Sequence, residues 1–212
     1  MLAYAVDIFV TFVVIIDPIG LAPIFIGLTG AMPRRERRRI ALRGVAIATI
    51  ILLGFAFLGR PLLDGLGISL AALRIAGGLL LFLLAVDMLF ARRTGLSSTT
   101  KPESEEAAHR EDISVFPLAI PHIAGPGAIT AILLLVSEAD GDMLTLGVGL
   151  GVFLLVMLLT AVALLLSSQL TRVLGQIGAN VISRVLGVLL AALAVQFVIN
   201  GTMAVLAAQG TT

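Results

Sequence analysis

The 212 residues are 59% hydrophobic and only 13% charged, with a mean hydropathy of +1.13. Soluble domains stay near half apolar, so this composition excludes a water-soluble globule and defines an integral membrane protein. A net charge of +1 gives no bulk electrostatic case for a nucleic-acid partner, and the absence of cysteine excludes disulfides, thiol catalysis and thiolate metal sites.

Crossing the hydrocarbon takes about 20 mainly apolar residues. The first such stretch, Leu2–Gly30, lacks a basic leader and is interrupted by Asp7, so it reads as a span and not as a cleaved signal. Five more follow: Ile40–Gly59, Leu66–Ala91, Ile113–Ala139, Met143–Ser168 and Val181–Ala208. None alternates as a barrel strand does, and lipid forces each backbone to satisfy its own hydrogen bonds. The expectation is an all-α, multi-pass membrane protein of six helices, with the lipid bilayer as its surroundings.

Charge predicts the orientation. "PRRERRRIALR", after the first span, carries six arginines from Arg34 to Arg43, and alternate loops add Arg92, Arg93, Lys101, Arg110, Arg172 and Arg184. The opposite set holds only Arg60 and Arg74, and includes the acidic loop "SEADGD". Twelve basic residues against two place the Arg34–Arg43 segment in the cytoplasm and both termini in the periplasm. The connection "RRTGLSSTTKPESEEAAHRED", Arg92 to Asp112, is polar and mixed in charge, and reads as a linker with His109 a solvated histidine. Asp87 is expected to pair with Arg92 or Arg93 at the interface.

That linker divides the chain into residues 1–91 and 113–212, and the two halves echo each other. Arg74 with Gly77 returns as Arg184 with Gly187, offset by 110; "AVD" at Ala85–Asp87 returns as "AVQ" at Ala194–Gln196, offset by 109. "DPIG" at Asp17–Gly20 and "GPGA" at Gly125–Ala128 are offset by 108. Three spans per half make the second copy insert upside down, and inverted repeats with Gly/Pro-broken spans at matching places are a transporter signature.

The breaks are "IIDPIGLAPIF" in the first span and "IPHIAGPGAIT" in the fourth. Each holds two prolines five residues apart, and proline removes a donor and clashes with the preceding turn. Both helices are therefore expected to be discontinuous. Asp17 followed by Pro18 reads as N-cap and N1 of a new half-helix, with the carboxylate filling that helix's own orphan amides. Gly125 followed by Pro126 reads the same way, but glycine brings no acceptor, which leaves the amides at Gly127 and Ala128 open to an external anion.

A carboxylate on one side and a bare helix N-terminus on the other suit a zwitterion, such as a small amino acid. Asp17 lies about 20 Å along the helix from Leu2, near mid-membrane, where a charge is costly and functional by default. The candidate substrate-binding residues are Asp17, Pro18, Gly20, Gly125, Pro126, Gly127, Ala128 and Thr130. His122, Gln196 and Asn200 are candidates for coupling or for lining the cavity; helix–helix contact accounts equally well for the last two. No metal cluster, Walker motif, Rossmann fingerprint or nucleophile elbow occurs, so neither a cofactor nor an enzyme is expected.

"DPIGLAPIF", "LRIAGGLLLFLLAVDMLF", "FPLAIPHIAGPGAIT" and "LGVLLAALAVQFVINGT" resemble the signature stretches of the MarC family of bacterial and archaeal inner-membrane proteins, in the right order over essentially the whole chain. The resemblance implies transport of small neutral amino acids such as glycine and alanine, driven by a proton or sodium gradient. The alternatives are transport or export of another small solute or a drug, and a membrane protein that transports nothing.

The orientation is testable directly, because the protein has no native cysteine. A cysteine introduced at position 36 is expected to stay unlabelled by an impermeant reagent in intact cells and to react after permeabilisation. Labelling in intact cells would invert the topology.

Overall fold

A computed structural model describes residues 1–90, 113–139 and 141–209. The linker with His109, the arginines expected to pair with Asp87, and Asp140 of the acidic loop lie outside the described residues. Among the described residues eight helical elements follow one another: α1 (Leu2–Ile16), α2 (Pro18–Thr29), α3 (Arg34–Gly65), α4 (Leu70–Phe90), α5 (Ser114–Ile123), α6 (Pro126–Glu138), α7 (Met143–Leu165) and α8 (Ser167–Gln209). Five stretches are long and apolar enough to cross a membrane singly: α1 with α2, α3, α4, α7, and Ile177–Ala208 of α8. The pair α5–α6, bent by 60°, completes a sixth span. The fold is thus an all-α membrane protein with the predicted breaks in the first and fourth spans.

Two boundaries differ from the sequence expectation. The arginine segment is not a loop: it forms the first turns of α3, which starts at Arg34 and runs for 32 residues. Arginine and glutamate are good helix formers, so the helix continues out of the apolar stretch into water. The connection between the last two spans is also helical, and Gly175 alone turns it, with φ 65° and ψ 176°.

Small residues set how closely the helices approach. The buried stripe of α3 reads Ala41, Gly44, Val45, Ala48, Leu52, Ala56, Gly59 and Leu63, a helical period that presents small side chains inward. Leu118 of α5 fills the space beside Gly44, and Leu133 of α6 fills that beside Gly59. Phe12 of α1 meets Phe153 of α7 with ring centroids 5.1 Å apart and planes at 57°, a tilted contact that aromatic quadrupoles favour. Many large apolar side chains remain on the outside, including Ile177, Val181, Val185 and Val188 along α8. On a soluble protein that surface would aggregate; here it faces lipid.

The α4–α8 pair makes the most extensive contact among the described residues, and it is antiparallel. Gly78 faces the carbonyl of Ala194, Gly187 that of Ala85, and Gly201 that of Ala71, so positions descend along α4 as they rise along α8. Six of the other contacts form corresponding pairs: α1 packs on α7 and α5 on α3, α2 on α8 and α6 on α4, α2 on α7 and α6 on α3; those of α1 with α6 and α8, and of α7 with α6 and α8, have no counterpart of similar extent. At one end Arg37 donates to Ser168 at 3.2 Å; at the other, Arg74 pairs with Glu138 at 3.3 Å. Asp142 caps α7, accepting from the Leu144 and Thr145 amides and the Thr145 hydroxyl. The Thr145 hydroxyl, followed by those amides, holds its carboxyl below the usual carboxylate range.

A Cβ on Gly78 would lie 2.7 Å from the Ala194 carbonyl oxygen, which cannot step aside without moving α8. Gly78→Ala is expected to destabilise by about 1–3 kcal/mol. Gly54 and Gly147 have nothing within 4 Å, so Gly→Ala there is expected to be neutral or stabilising by up to about 1 kcal/mol. Thermal melting in one detergent separates the two classes.

Candidate functional site

Two places in the bundle leave helix ends inside the membrane, and the chain treats them differently. At the first, Asp17 joins both half-helices. Its amide donates to the Val13 carbonyl at 3.0 Å and closes α1, while its own carbonyl accepts from Leu21 at 2.9 Å and opens α2. This double role puts it in the left-handed region, with φ 44° and ψ 67°, which aspartate tolerates better than bulkier residues. One carboxylate oxygen accepts from the Gly20 amide at 2.9 Å and the other from the Ser183 hydroxyl of α8 at 2.7 Å. Any side chain at position 20 would collide with that carboxylate and with the serine oxygen, which is why a glycine stands there.

At the second break the cap carries no side-chain acceptor. α5 is a widened segment, with amides of Leu118 and Ala124 reaching carbonyls five residues back and extended backbone at Phe116 and Ile120. The chain then passes through Ala124 and Gly125, and α6 begins at Pro126 with Gly125 as its N-cap. The Gly125 carbonyl accepts from Ile129 at 3.0 Å, but nothing caps the helix from a side chain. The amides of Gly127 and Ala128 therefore head a helix with its positive dipole end uncapped. A Cβ at position 125 would sit 2.5 Å from the Pro121 carbonyl oxygen, so any other residue there requires the backbone at Pro121 to shift.

A cavity of about 30 Å³ opens at this second break, bounded by His122, Gly125, Pro126, Gly127 and Ala128, with Ile15, Leu80 and Leu84 across from them. Of the sequence candidates, these five share one space. Asp17, Pro18 and Gly20 do not line it: Ile15 reaches it from just before the first break, while the Asp17 carboxylate is held by α2 and α8. Thr130 lies one turn on, with its hydroxyl donating to the Pro126 carbonyl at 2.9 Å and its methyl packed on Gly77. Gln196 and Asn200 lie on an exposed face of α8, where the glutamine amide donates to the asparagine at 2.7 Å. Ser183 was not legible as a site residue. A carboxylate buried in a membrane demands a donor, but nothing in the spacing selects this hydroxyl over others.

The fold and its two interrupted spans define a multi-pass integral membrane protein of the broken-helix kind. The chain belongs to the MarC family: residues 2–206 match the profile described as MarC family integral membrane protein. Relatives include a UPF0056 membrane protein of Archaeoglobus fulgidus, 40% identical over 91% of this chain and 89% of its own length. Two more are YhcE of Escherichia coli, at 34% over 91% and 89%, and YvbG of Bacillus subtilis, at 34% over 92% of each. Both carry the same designation of UPF0056 membrane protein. No solved structure matches the chain.

The Asp17 arrangement predicts a sharp difference between two substitutions. Asp17→Ala loses the cap, about 0.5–2 kcal/mol, and forces a Cβ residue without a compensating hydrogen bond into the left-handed region, about 1–2 kcal/mol more. Asp17→Asn keeps an acceptor for Gly20 and tolerates the same backbone, so its cost is expected to stay within about 1 kcal/mol. Melting temperatures of the two purified variants check the ranking; equal losses would mean that the cap is not what holds the break.

Proposed function

We propose that this protein is a secondary transporter of small neutral amino acids, of the glycine and alanine type, working by alternating access in the inner membrane with its termini in the periplasm. The observation that carries the reading is the uncapped start of α6 facing a cavity inside the bundle. Free amides and a positive dipole end, in surroundings of low dielectric, suit the carboxylate of a substrate. The small residues of the break, with Ile15, Leu80 and Leu84 across from them, match a substrate whose side chain is a hydrogen or a methyl and disfavour bulky drugs.

The remaining parts follow from this placement. Asp17 lies outside the closed cavity, two residues beyond its wall at Ile15, and in this reading supplies the negative end once the break opens: each of its oxygens keeps lone pairs beyond the bonds to Gly20 and Ser183 to accept the substrate's ammonium group. His122, on the cavity wall, is a candidate for proton coupling, with sodium as the alternative driving ion. About 30 Å³ holds roughly two waters and no amino acid. Binding therefore requires α5 and α6 to part at the Gly/Pro break, the kind of hinge that alternating access needs. Part of the packing supports an inverted repeat: exchanging α1, α2 and α3 for α5, α6 and α7, and α4 for α8, maps α1–α7 onto α5–α3, α2–α8 onto α6–α4 and α2–α7 onto α6–α3, while four further contacts have no such counterpart.

The test is uptake of labelled glycine and alanine into proteoliposomes under imposed proton or sodium gradients. Accumulation driven by one of the two is expected, and no accumulation under either overturns the substrate class. Gly125→Asp and Gly125→Ala share the same Cβ and its contact with Pro121, and differ by a carboxylate that would occupy the start of α6. A charge-assisted hydrogen bond is worth roughly 1.5–3 kcal/mol, so the Asp variant is expected to bind substrate at least about tenfold more weakly than the Ala variant. Equal binding by the two would remove the anion site from this helix end.

A further inference from the structure

The arginine-rich end of the bundle contains a second and larger cavity, of about 390 Å³, between the first turns of α3 and the junction of α7 with α8. Its polar lining is Arg34, Arg37, Arg38, Ser167, Ser168 and Gln169, and no carboxylate lines it among the described residues. Arg37 is held in place by the neutral Ser168 hydroxyl, which brings no countercharge of its own. Every guanidinium and hydroxyl here offers donors, and the volume falls within the range of small-ligand sites.

The position of the arginines is electrostatically unfavourable within the chain itself. The N-terminus of a helix is its positive end and prefers anions, yet α3 starts with five arginines in six residues and a single glutamate, Glu36. Pro33, the N-cap, makes no side-chain bond to the helix start. An anion seated between Arg34, Arg37 and Arg38 offsets both the mutual repulsion and the dipole. The rest of the wall selects the anion's source. Phe25, Leu164 and Leu165 close the cavity on its apolar side, and Leu165 is 39% exposed on the surface that meets lipid. A free ion gains nothing from such a wall, whereas a phospholipid lays its glycerol and acyl carbons against it.

We propose that this cavity is a binding site for the phosphate head group of an anionic phospholipid, clamped by Arg34, Arg37 and Arg38 with the serine hydroxyls beside them. Guanidinium forks match phosphate oxygens in pairs, and basic pockets between transmembrane helices recur as lipid head-group sites. The site is separate from the break at Gly125 and does not depend on the transport reading.

The experiment is a lipid titration of the purified protein by native mass spectrometry, with phosphatidylglycerol against phosphatidylcholine. Phosphatidylglycerol is expected to bind at least about tenfold more tightly. Arg34→Gln with Arg38→Gln is expected to erase most of that preference. Arg35→Gln with Arg39→Gln removes the same charge from side chains that do not line the cavity, and is expected to keep it within about twofold. All four arginines are exposed, so both pairs of substitutions leave the fold intact, and melting temperatures check it. Equal losses from the two pairs would reduce the effect to diffuse surface charge and overturn the site. Displacement of the lipid by millimolar inorganic phosphate would make it a free-anion site and overturn the lipid assignment. No preference between the two lipids would overturn the proposal altogether.

Discussion

A hydrocarbon interior offers no water to a backbone amide or carbonyl, and the rest of this structure follows from how the chain meets that demand. Four of its spans do so as unbroken helices. The first and fourth create helix ends inside the bundle and must deal with them locally. At the first, one aspartate satisfies the end of α1, the start of α2 and a serine of α8 together. At the fourth, a widened turn in α5 absorbs the carbonyl side, and the donor side of α6 has no side-chain cap. The same constraint is met in two ways: a side chain caps the helix start at one break and none does at the other.

Packing enforces this difference. α6 lies between α3 and α4, with Leu133 against Gly59 and the Thr130 methyl against Gly77, so the orientation of its N-terminus is set by contacts along its whole length. α2 is held against α7 and α8. The antiparallel α4–α8 pair, closely approached at glycines, ties the element beside one break to the element beside the other. Substitution of any of these small residues pushes helices apart and moves a helix end, which links interior packing to the geometry of the site. The two ends of the bundle carry polar ties of different kinds: an ion pair between α4 and α6, and a hydrogen bond between α3 and α8 beside the arginine cavity.

The amino-acid sequence by itself determined the membrane class, the helical spans and both breaks, because each rests on local chemistry. Runs of apolar residues need lipid, proline cannot continue a helix, and Asp-Pro and Gly-Pro are start signals with and without an acceptor. The family was equally legible in "DPIGLAPIF" and "FPLAIPHIAGPGAIT". Boundaries in polar stretches were not, since nothing local stops α3 from extending through Arg34 or α8 from running on through Ser167. What only the tertiary structure decided is which side chains meet. Ser183 stands 166 residues from Asp17, Gln196 and Asn200 turn outward on α8, and His122 shares a wall with Leu80 and Leu84. The rotation of one helix against another is set by the fit of many small contacts at once, and no single stretch of chain carries that information.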